Sequence, residues 1–435
     1  MTDAALTPDR PAGAGAARAD RLRAGLKRRY AREARFRLYG LLAIGLAVGF
    51  LLLLLGRIFE QGHTAFYAHS IEVPVYMDPA RVDRTWPQGT NFELLVAEQQ
   101  LARLGVTDDA AGSKATAMRG LFSSELKFLA AERIQDDPAL IGRTVTLEAP
   151  LADDADLYFK GEISLDTPAE QRRLTDEQIG WLDRMRAERM VSSHFNSGLL
   201  TRGDSTEPEL AGVLGAVVGS ALMLLVTALI ALPLGVGAAL YLEEFAPKGR
   251  ITNLIEVNIN NLAAVPSIIY GLLGLALFIN WMHLPRASPL VGGLVLALMA
   301  LPTIIIATRS ALKAVPPSIR EAALAMGASK TQTVFHHTLP LAMPGVMTGA
   351  IISMAHALGE TAPLLLIGMV SFVPGVPAGL TEPTGALPSL IYIWENASER
   401  AFHERTAAAI LVLLAFMIVM NAAAVLLRRR FERRW

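Results

Sequence analysis

Apolar runs alternate with polar stretches along this chain, and their lengths separate them into two kinds. Leu38–Leu55, "LYGLLAIGLAVGFLLLLL", is unbroken and follows the basic stretch "RADRLRAGLKRRYAREARFR" at 18–37. At 1.5 Å per residue such a run covers roughly 27 Å, enough for a thin bilayer core. Runs at 211–242, 258–279, 290–308, 344–370 and 405–427 predict five more spans, with Pro233 expected to kink or break the first of these. The stretch 56–208 is different. It is polar, and its patterns are short: "SIEVPVYM" puts Ile71, Val73 and Val75 on one strand face, and "RTVTLEAPL" alternates likewise. "DEQIGWLDRMRAERM" brings Ile179, Leu182, Met185 and Met190 near one helix face. The expected fold is an all-α polytopic membrane protein of six transmembrane helices, with an inserted α+β domain.

Charge orients the spans. The basic flank before Leu38, the loops "EEFAPKGR" and 309–340, and the tail "RRRFERRW" carry basic residues, whereas 280–289 and 371–403 carry fewer. The positive-inside rule then places both termini in the cytoplasm and 56–208 outside it, in the periplasm of a bacterial inner membrane. A cleaved signal peptide would have a shorter apolar region and a small-residue cleavage site; Gly56-Arg57 follows here instead, so Leu38–Leu55 reads as a span. The expected organisation is a disordered, basic cytoplasmic tail at 1–37, a first transmembrane helix at 38–55, a periplasmic α+β domain at 56–208 and a transmembrane domain at 209–435.

Composition narrows the chemistry. The 435 residues are 52% hydrophobic, with a mean hydropathy of +0.38, a mixture of membrane and aqueous parts. A net charge of zero gives no basic surface for nucleic acid, and the lack of cysteine excludes disulfides and thiolate chemistry. No GxxxxGK[ST] phosphate loop occurs, so any ATP must bind another chain. His63, His69 and His194 lack a ligand-like spacing, and "DDAD" at 153–156 lacks the glycine and terminal glutamate of a calcium loop and reads as a solvated turn. Neither a metal nor a cofactor is expected. Asn258, Asn260 and Asn261 enter the third span and read as interhelical hydrogen-bonding groups.

The segment "EAALAMGASKTQTVFHHTLP", Glu321–Pro340, lies between two spans. Pro317 suits a first helical position, and Gly327 can end that helix in a left-handed conformation. Ser329 can cap a second short helix, Lys330 to His337, which Leu339-Pro340 stops. Ala322 and Ala323 let another surface approach the backbone, and Glu321 supplies a charge beside it. By residue types alone this is either a docking device or an amphipathic loop on lipid headgroups.

The spacing adds a resemblance. Glu321-Ala322-Ala323, three residues, Gly327, nine residues, then His337 and Leu339-Pro340 resembles the EAA loop of ABC-importer permeases, with His337 where the family has isoleucine. "PSIIYGLLGLALF" at 266–278, "AHALGETAPLLLIG" at 355–368, "ALPSLIYIW" at 386–394 and the C-terminal stretch from Ala401 are similar to phosphate-specific permeases of the PstA type. The likeness covers about 210–435; family members tend to carry a basic residue where Ile306 stands here, and Arg309 is the nearest cation. The resemblance implies a type I ABC importer permease fold, with the loop at 315–340 seated in a separate ATPase dimer. It also implies a second permease subunit and a periplasmic phosphate-binding protein. Such a chain is a transport subunit, not an enzyme.

Ser353, His356 and Glu360, at spacings of three and four, are expected to share a face of the fifth span, with Thr361 following. An intramembrane carboxylate faces a bundle interior or a watery path, so these four read as a polar stripe along the translocation pathway. Glu360 either pairs with a cation of the partner permease as a gate, or is protonated and hydrogen-bonded within the bundle. Arg309, one full span away, reads as an interfacial anchor. The alternatives to a phosphate permease are an importer permease for sulfate, molybdate or an amino acid, and a membrane-anchored sensor or scaffold using 56–208 as its ligand domain.

Overall fold

The computed structural model describes residues 13–107, 112–165, 168, 172–370 and 372–431. The chain divides into two compact units, Met1–Glu60 and Gln61–Trp435. The first is occupied by α1 (Gly13–Gly62), a single helix of 50 residues. Leu41, Ile44, Leu46 and Phe50 are all exposed along it, the signature of a helix whose apolar surface is meant for lipid. Residues 13–37 are helical rather than a disordered tail. Alanine and arginine dominate there, both good helix formers, and no proline breaks the helix before the apolar run. Residues 1–12 lie outside the described residues.

The second unit begins with an α+β layer: β1 (Tyr67–Tyr76), α2 (Phe92–Arg103), α3 (Ser113–Arg119), α4 (Glu125–Asp136), β2 (Thr144–Pro150), α5 (Asp153–Lys160), α6 (Asp176–Ala187), β3 (Val191–Phe195) and α7 (Gly198–Thr201). The sheet has the order β2-β1-β3, and both pairings are antiparallel. Val73 sits opposite Leu147, and Ile71 opposite both Ala149 and Val191. Alternation therefore sends Ile71, Val73 and Val75 to one face, where they are fully buried against the helices with Leu126, Ile179, Leu182 and Met185. Each such side chain contributes about 1.5–3 kcal/mol. Thr175 and Gln178 form a capping box that starts α6. Met190 lies past the end of α6 yet stays in the same core.

The remainder is a helical bundle. It comprises α8 (Leu214–Leu240), extended by a π-helical turn at Tyr241–Phe245; α9 (Arg250–Ala263); α10 (Ser267–Gly274), which runs into a π-helical stretch at Leu275–Trp281; α11 (Pro289–Lys313); and α12 (Pro317–Ala325). Then follow α13 (Lys330–Gln332), a π-helical stretch at Thr333–Thr338, α14 (Leu339–Leu358), α15 (Ala362–Leu366), α16 (Leu387–Glu395) and α17 (Ala401–Phe431). Among the described residues five helices are long and apolar enough to cross a membrane, or six if the bent pair α9–α10 counts as one span. Pro233 lies inside α8 without ending it. Helices α8 and α11 pack along each other, where Thr227 Oγ1 donates to the carbonyls of Met223 (2.8 Å) and Gly293 (3.1 Å).

Three expectations about spans change. The third does not run from 258 to 279: α9 and α10 meet at 100°. Pro266 disfavours a helical conformation for the residue before it. Asn258, Asn260 and Asn261 thus lie on α9, before the bend rather than within a straight span; all are exposed, and Asn258 Nδ2 donates within its own helix to Leu254 O (2.8 Å). The fifth span does not run from 344 to 370. It is one helix, Lys330–Leu358, so Pro340 does not stop a short second helix. Proline lacks the N–H that an α-helix needs, and the widened π-helical turn just before it takes up that defect. Finally, the loop at 371–403 holds a buried helix, α16, with Leu387, Leu390 and Trp394 in its core.

The α+β layer is fastened to the starts of α8 and α17. Lys160 Nζ lies 2.8 Å from Asp156 Oδ2 and 2.8 Å from Glu404 Oε1, with side-chain exposures of 5%, 11% and 8% for the three residues. His69 Nδ1 is 2.8 Å from Asp156 Oδ1. Burial alone pushes the Asp156 carboxyl up, but the His69 hydrogen bond and the Lys160 ammonium outweigh it and hold it below the usual range. Arg405 donates to Ala211 O (2.9 Å), and Trp394 Nε1 to Asp204 Oδ1 (2.9 Å). The acidic run at 153–156 is therefore no solvated turn; it forms the first turn of α5, where carboxylates suit the helix dipole.

Candidate functional site

The loop between α11 and α14 is built from local rules. Pro316 and Pro317 open α12, Pro317 inside its first turn. The helix ends in a left-handed Gly327 with φ +86°. Ala328 N–H donates to Ala323 O (3.1 Å) and Gly327 N–H to Leu324 O (3.0 Å), the paired bonds of a Schellman motif. Ser329 and Gln332 then form a capping box that starts the long helix. Two helices thus meet at one glycine.

Of the residues singled out there, Glu321, Ala322 and Gly327 are exposed, Ala323 is buried, and Leu339 and Pro340 are half-buried. Met326, next to Gly327, is 88% exposed. The buried side rests on Leu240, Leu312, Val315, Val334, Ala342 and Val346, from α8, α11, the turn after it and the long helix. One face of the loop is therefore free and the other is packed on three spans. His337 is exposed; with His336, Ile319, Val315 and Leu341 it lines a cavity of about 540 Å³.

An ionic layer underlies the loop, and sequence reasoning missed it. The π-helical turn at the end of α8 presents two consecutive carboxylates. Glu243 accepts from Arg309 Nε (3.4 Å) and lies 3.6 Å from Lys313 Nζ; Arg309 Nη2 also donates to Glu256 Oε1 of α9 (2.5 Å). Glu244 accepts from Arg320 Nε (3.1 Å) and Nη2 (2.8 Å). Arg309 thus joins three helices at this end of the bundle and does not reach toward Glu360. The signal was present in "LEEF": two acids at a helix end, in a loop otherwise marked by basic residues.

The second group of residues lies at the other end of the long helix. Glu360 is two residues past its terminus, in the break between α14 and α15, rather than well inside a span. Its carboxylate is 3.1 Å from His356 Nε2, with side-chain exposures of 16% and 68%. Ser353 does not share their surroundings: it is buried, and its hydroxyl donates to Ala300 O of α11 (3.3 Å). Thr361 is the N-cap position of α15, where its main-chain carbonyl accepts from Leu364 and Leu365 N–H (3.1 Å each) and its hydroxyl makes no capping bond. Pro363 falls in the first turn of α15, where a missing N–H removes no helical bond. The expected four-residue stripe resolves into a buried Ser353 and a His356–Glu360–Thr361 group at a helix break. That break packs beside the other one: a Cβ on Gly271 of α10 would come 2.7 Å from Pro363 Cα, so only glycine permits this approach.

A bundle of broken and unbroken spans, carrying a glycine-hinged loop with an exposed face, belongs to a solute permease driven by another subunit. The chain is a member of the family described as binding-protein-dependent transport system inner membrane component, whose profile matches residues 231–435. It is a membrane-spanning permease subunit of an ABC importer, without covalent chemistry of its own, in a family that works with an ATPase and a substrate-binding protein. Residues 23–169 match a second family, described as a domain of unknown function, DUF3333. Among similar proteins is the probable ABC transporter permease protein YqgI of Bacillus subtilis, 31% identical over 247 residues, covering 53% of this chain and 83% of that one. Another is the phosphate transport system permease protein PstA 1 of Mycobacterium tuberculosis, 33% identical over 228 residues, covering 52% and 74%. Among solved structures, an inward-facing MetNI methionine ABC transporter matches at 21% identity and a TM-score of 0.39, over 51% of this chain and 95% of that one.

Proposed function

We propose that the chain is the permease of an ATP-driven importer of inorganic phosphate. It forms half of the translocation channel and pairs with a second, different permease subunit. An ATPase dimer grips the exposed face at Glu321, Ala322 and Met326 from the cytoplasm, and a phosphate-binding protein delivers substrate from the periplasm, the side of residues 56–208. Both termini are cytoplasmic. ATP binding in the partner moves α12 and the start of the long helix together, and the spans alternate between inward- and outward-facing states. His356, Glu360 and Thr361 line the pathway at the helix break, and Glu360 forms a gate rather than a phosphate ligand, since like charges repel. Ser353, expected on the pathway, has instead the role of fastening α14 to α11.

The observation that carries the importer mechanism is the Schellman turn at Gly327, which presents one face of α12 and packs the other on three spans. Phosphate as the solute is supported by the PstA relatives at 30–33% identity. The test is to purify the tagged chain and then reconstitute the complex that comes with it. Co-purification of an ATPase and a second permease, with uptake of labelled phosphate and not sulfate into vesicles, is the expected result. Uptake of sulfate alone would overturn the solute; no associated ATPase would overturn the mechanism.

A further inference from the structure

Arg320 stands immediately before the exposed Glu321 but turns the other way. Its guanidinium donates four hydrogen bonds: Nε and Nη2 to Glu244 Oε1 (3.1 and 2.8 Å), Nη1 to Val315 O (2.8 Å) and Nη2 to Leu312 O (2.8 Å). Glu244 belongs to the π-helical turn that ends α8, Leu312 to the last turn of α11, and Val315 to the link into α12. One side chain therefore ties α12 to two spans at once. The pair is sheltered, with side-chain exposures of 23% for Arg320 and 9% for Glu244.

Each part of this arrangement has a physical reason. The last carbonyls of α11 lack intrahelical donors and carry the negative end of its dipole, which a cation stabilises. A planar guanidinium serves a carboxylate and two carbonyls simultaneously, which a lysine ammonium on a flexible stem does not do with the same geometry. The widened turn at 241–245 gives both Glu243 and Glu244 a cation within reach, and such turns recur at functional sites in helices. The hydrophobic packing beneath the loop is non-directional and lets α12 slide; four oriented bonds fix it in position.

We propose that Arg320 is the positioning residue that makes α8 and α11 follow α12, so that closure of the ATPase reaches the spans. The proposal rests on the reading of the 317–340 loop as the ATPase contact. Without Arg320 the loop still docks, but its movement dissipates before the π-helical turn.

The experiment uses the assembled complex with unchanged chain, Arg320→Gln, Arg320→Lys and Glu244→Gln. Amide hydrogen exchange is followed with and without a non-hydrolysable ATP analogue, and uptake per ATP hydrolysed is measured in vesicles. In the unchanged complex, ATP alters exchange both at 317–328 and at 241–245. In Arg320→Gln the response at 317–328 persists, the response at 241–245 is lost, and uptake per ATP falls at least about tenfold, the scale of lost charge-assisted bonds. Arg320→Lys and Glu244→Gln fall between. A wild-type response at 241–245 and wild-type uptake per ATP in Arg320→Gln would overturn the proposal. If Arg320→Gln does not assemble, Arg320→Lys decides: uncoupling supports the proposal, and wild-type behaviour reduces Arg320 to a structural role and overturns it. Absence of any ATP response at 317–328 in the unchanged complex would instead remove the loop reading, and the proposal with it.

Discussion

Replacing Lys160 with methionine tests what fastens the α+β layer to the bundle. The ammonium lies 2.8 Å from both Asp156 and Glu404, whose side chains are 11% and 8% exposed. Methionine keeps the stem and removes the charge. Asp156 retains His69, but Glu404 loses the ammonium that compensates its burial. Breaking a buried pair by removing one partner costs about 3–5 kcal/mol. Because the pair joins α5 to the first turn of α17, the cost falls on local opening of that contact before it falls on the whole chain. Amide exchange at 153–160 and 401–408 should accelerate by at least about a hundredfold. The variant Lys160→Met with Glu404→Gln removes the uncompensated charge and should recover most of the protection, since the cost of breaking a buried pair lies in the charge left without a partner. Exchange within threefold of the unchanged chain in the single variant, or no recovery in the double one, would refute the argument.

Two further outcomes follow from named groups. Gly327 has φ +86° and open space around an added Cβ, so its substitution is governed by backbone conformation alone; valine should cost about 1–2 kcal/mol locally and abolish uptake with normal membrane insertion, whereas asparagine, which tolerates the left-handed region, should retain transport. Burial, helped by the charges of Asp153 and Glu207, pushes the Glu209 carboxyl from 4.5 up to about 7. The folded state therefore binds its proton more tightly than the unfolded one, so stability falls as pH rises from 4.5 to 7 and is level above, by roughly 3 kcal/mol in all. Glu209→Gln should flatten that part of the melting-temperature profile, and an unchanged slope would refute the assignment.

Features written in periodicity or in local caps were legible in the sequence. Ile71, Val73 and Val75 announced a strand by alternation, and Gly327 and Ser329 announced a bend between two helices. Features that depend on geometry at a break were misread even where a signal existed. Hydropathy continues across Val265-Pro266 and across Gly359–Thr361, so a window that counts apolar residues joined helices that the backbone separates. That error put Glu360 in mid-span. Contacts between distant residues left no local trace at all: Lys160 meets Glu404 across 244 positions, and Arg320 meets Glu244 across 76. Each of these partners looks like an ordinary surface charge until the fold brings it to an opposite one.

The unbroken helix from Lys330 to Leu358 has a mechanical consequence. Its 29 residues amount to a rod of roughly 43 Å at 1.5 Å per residue. It begins three residues after the Gly327 bend and ends two residues before Glu360. A tilt of about 10° around its first turn would sweep its far tip by roughly 7 Å. In a rod of this length a small rotation at one end becomes a larger displacement at the other, in proportion to its length.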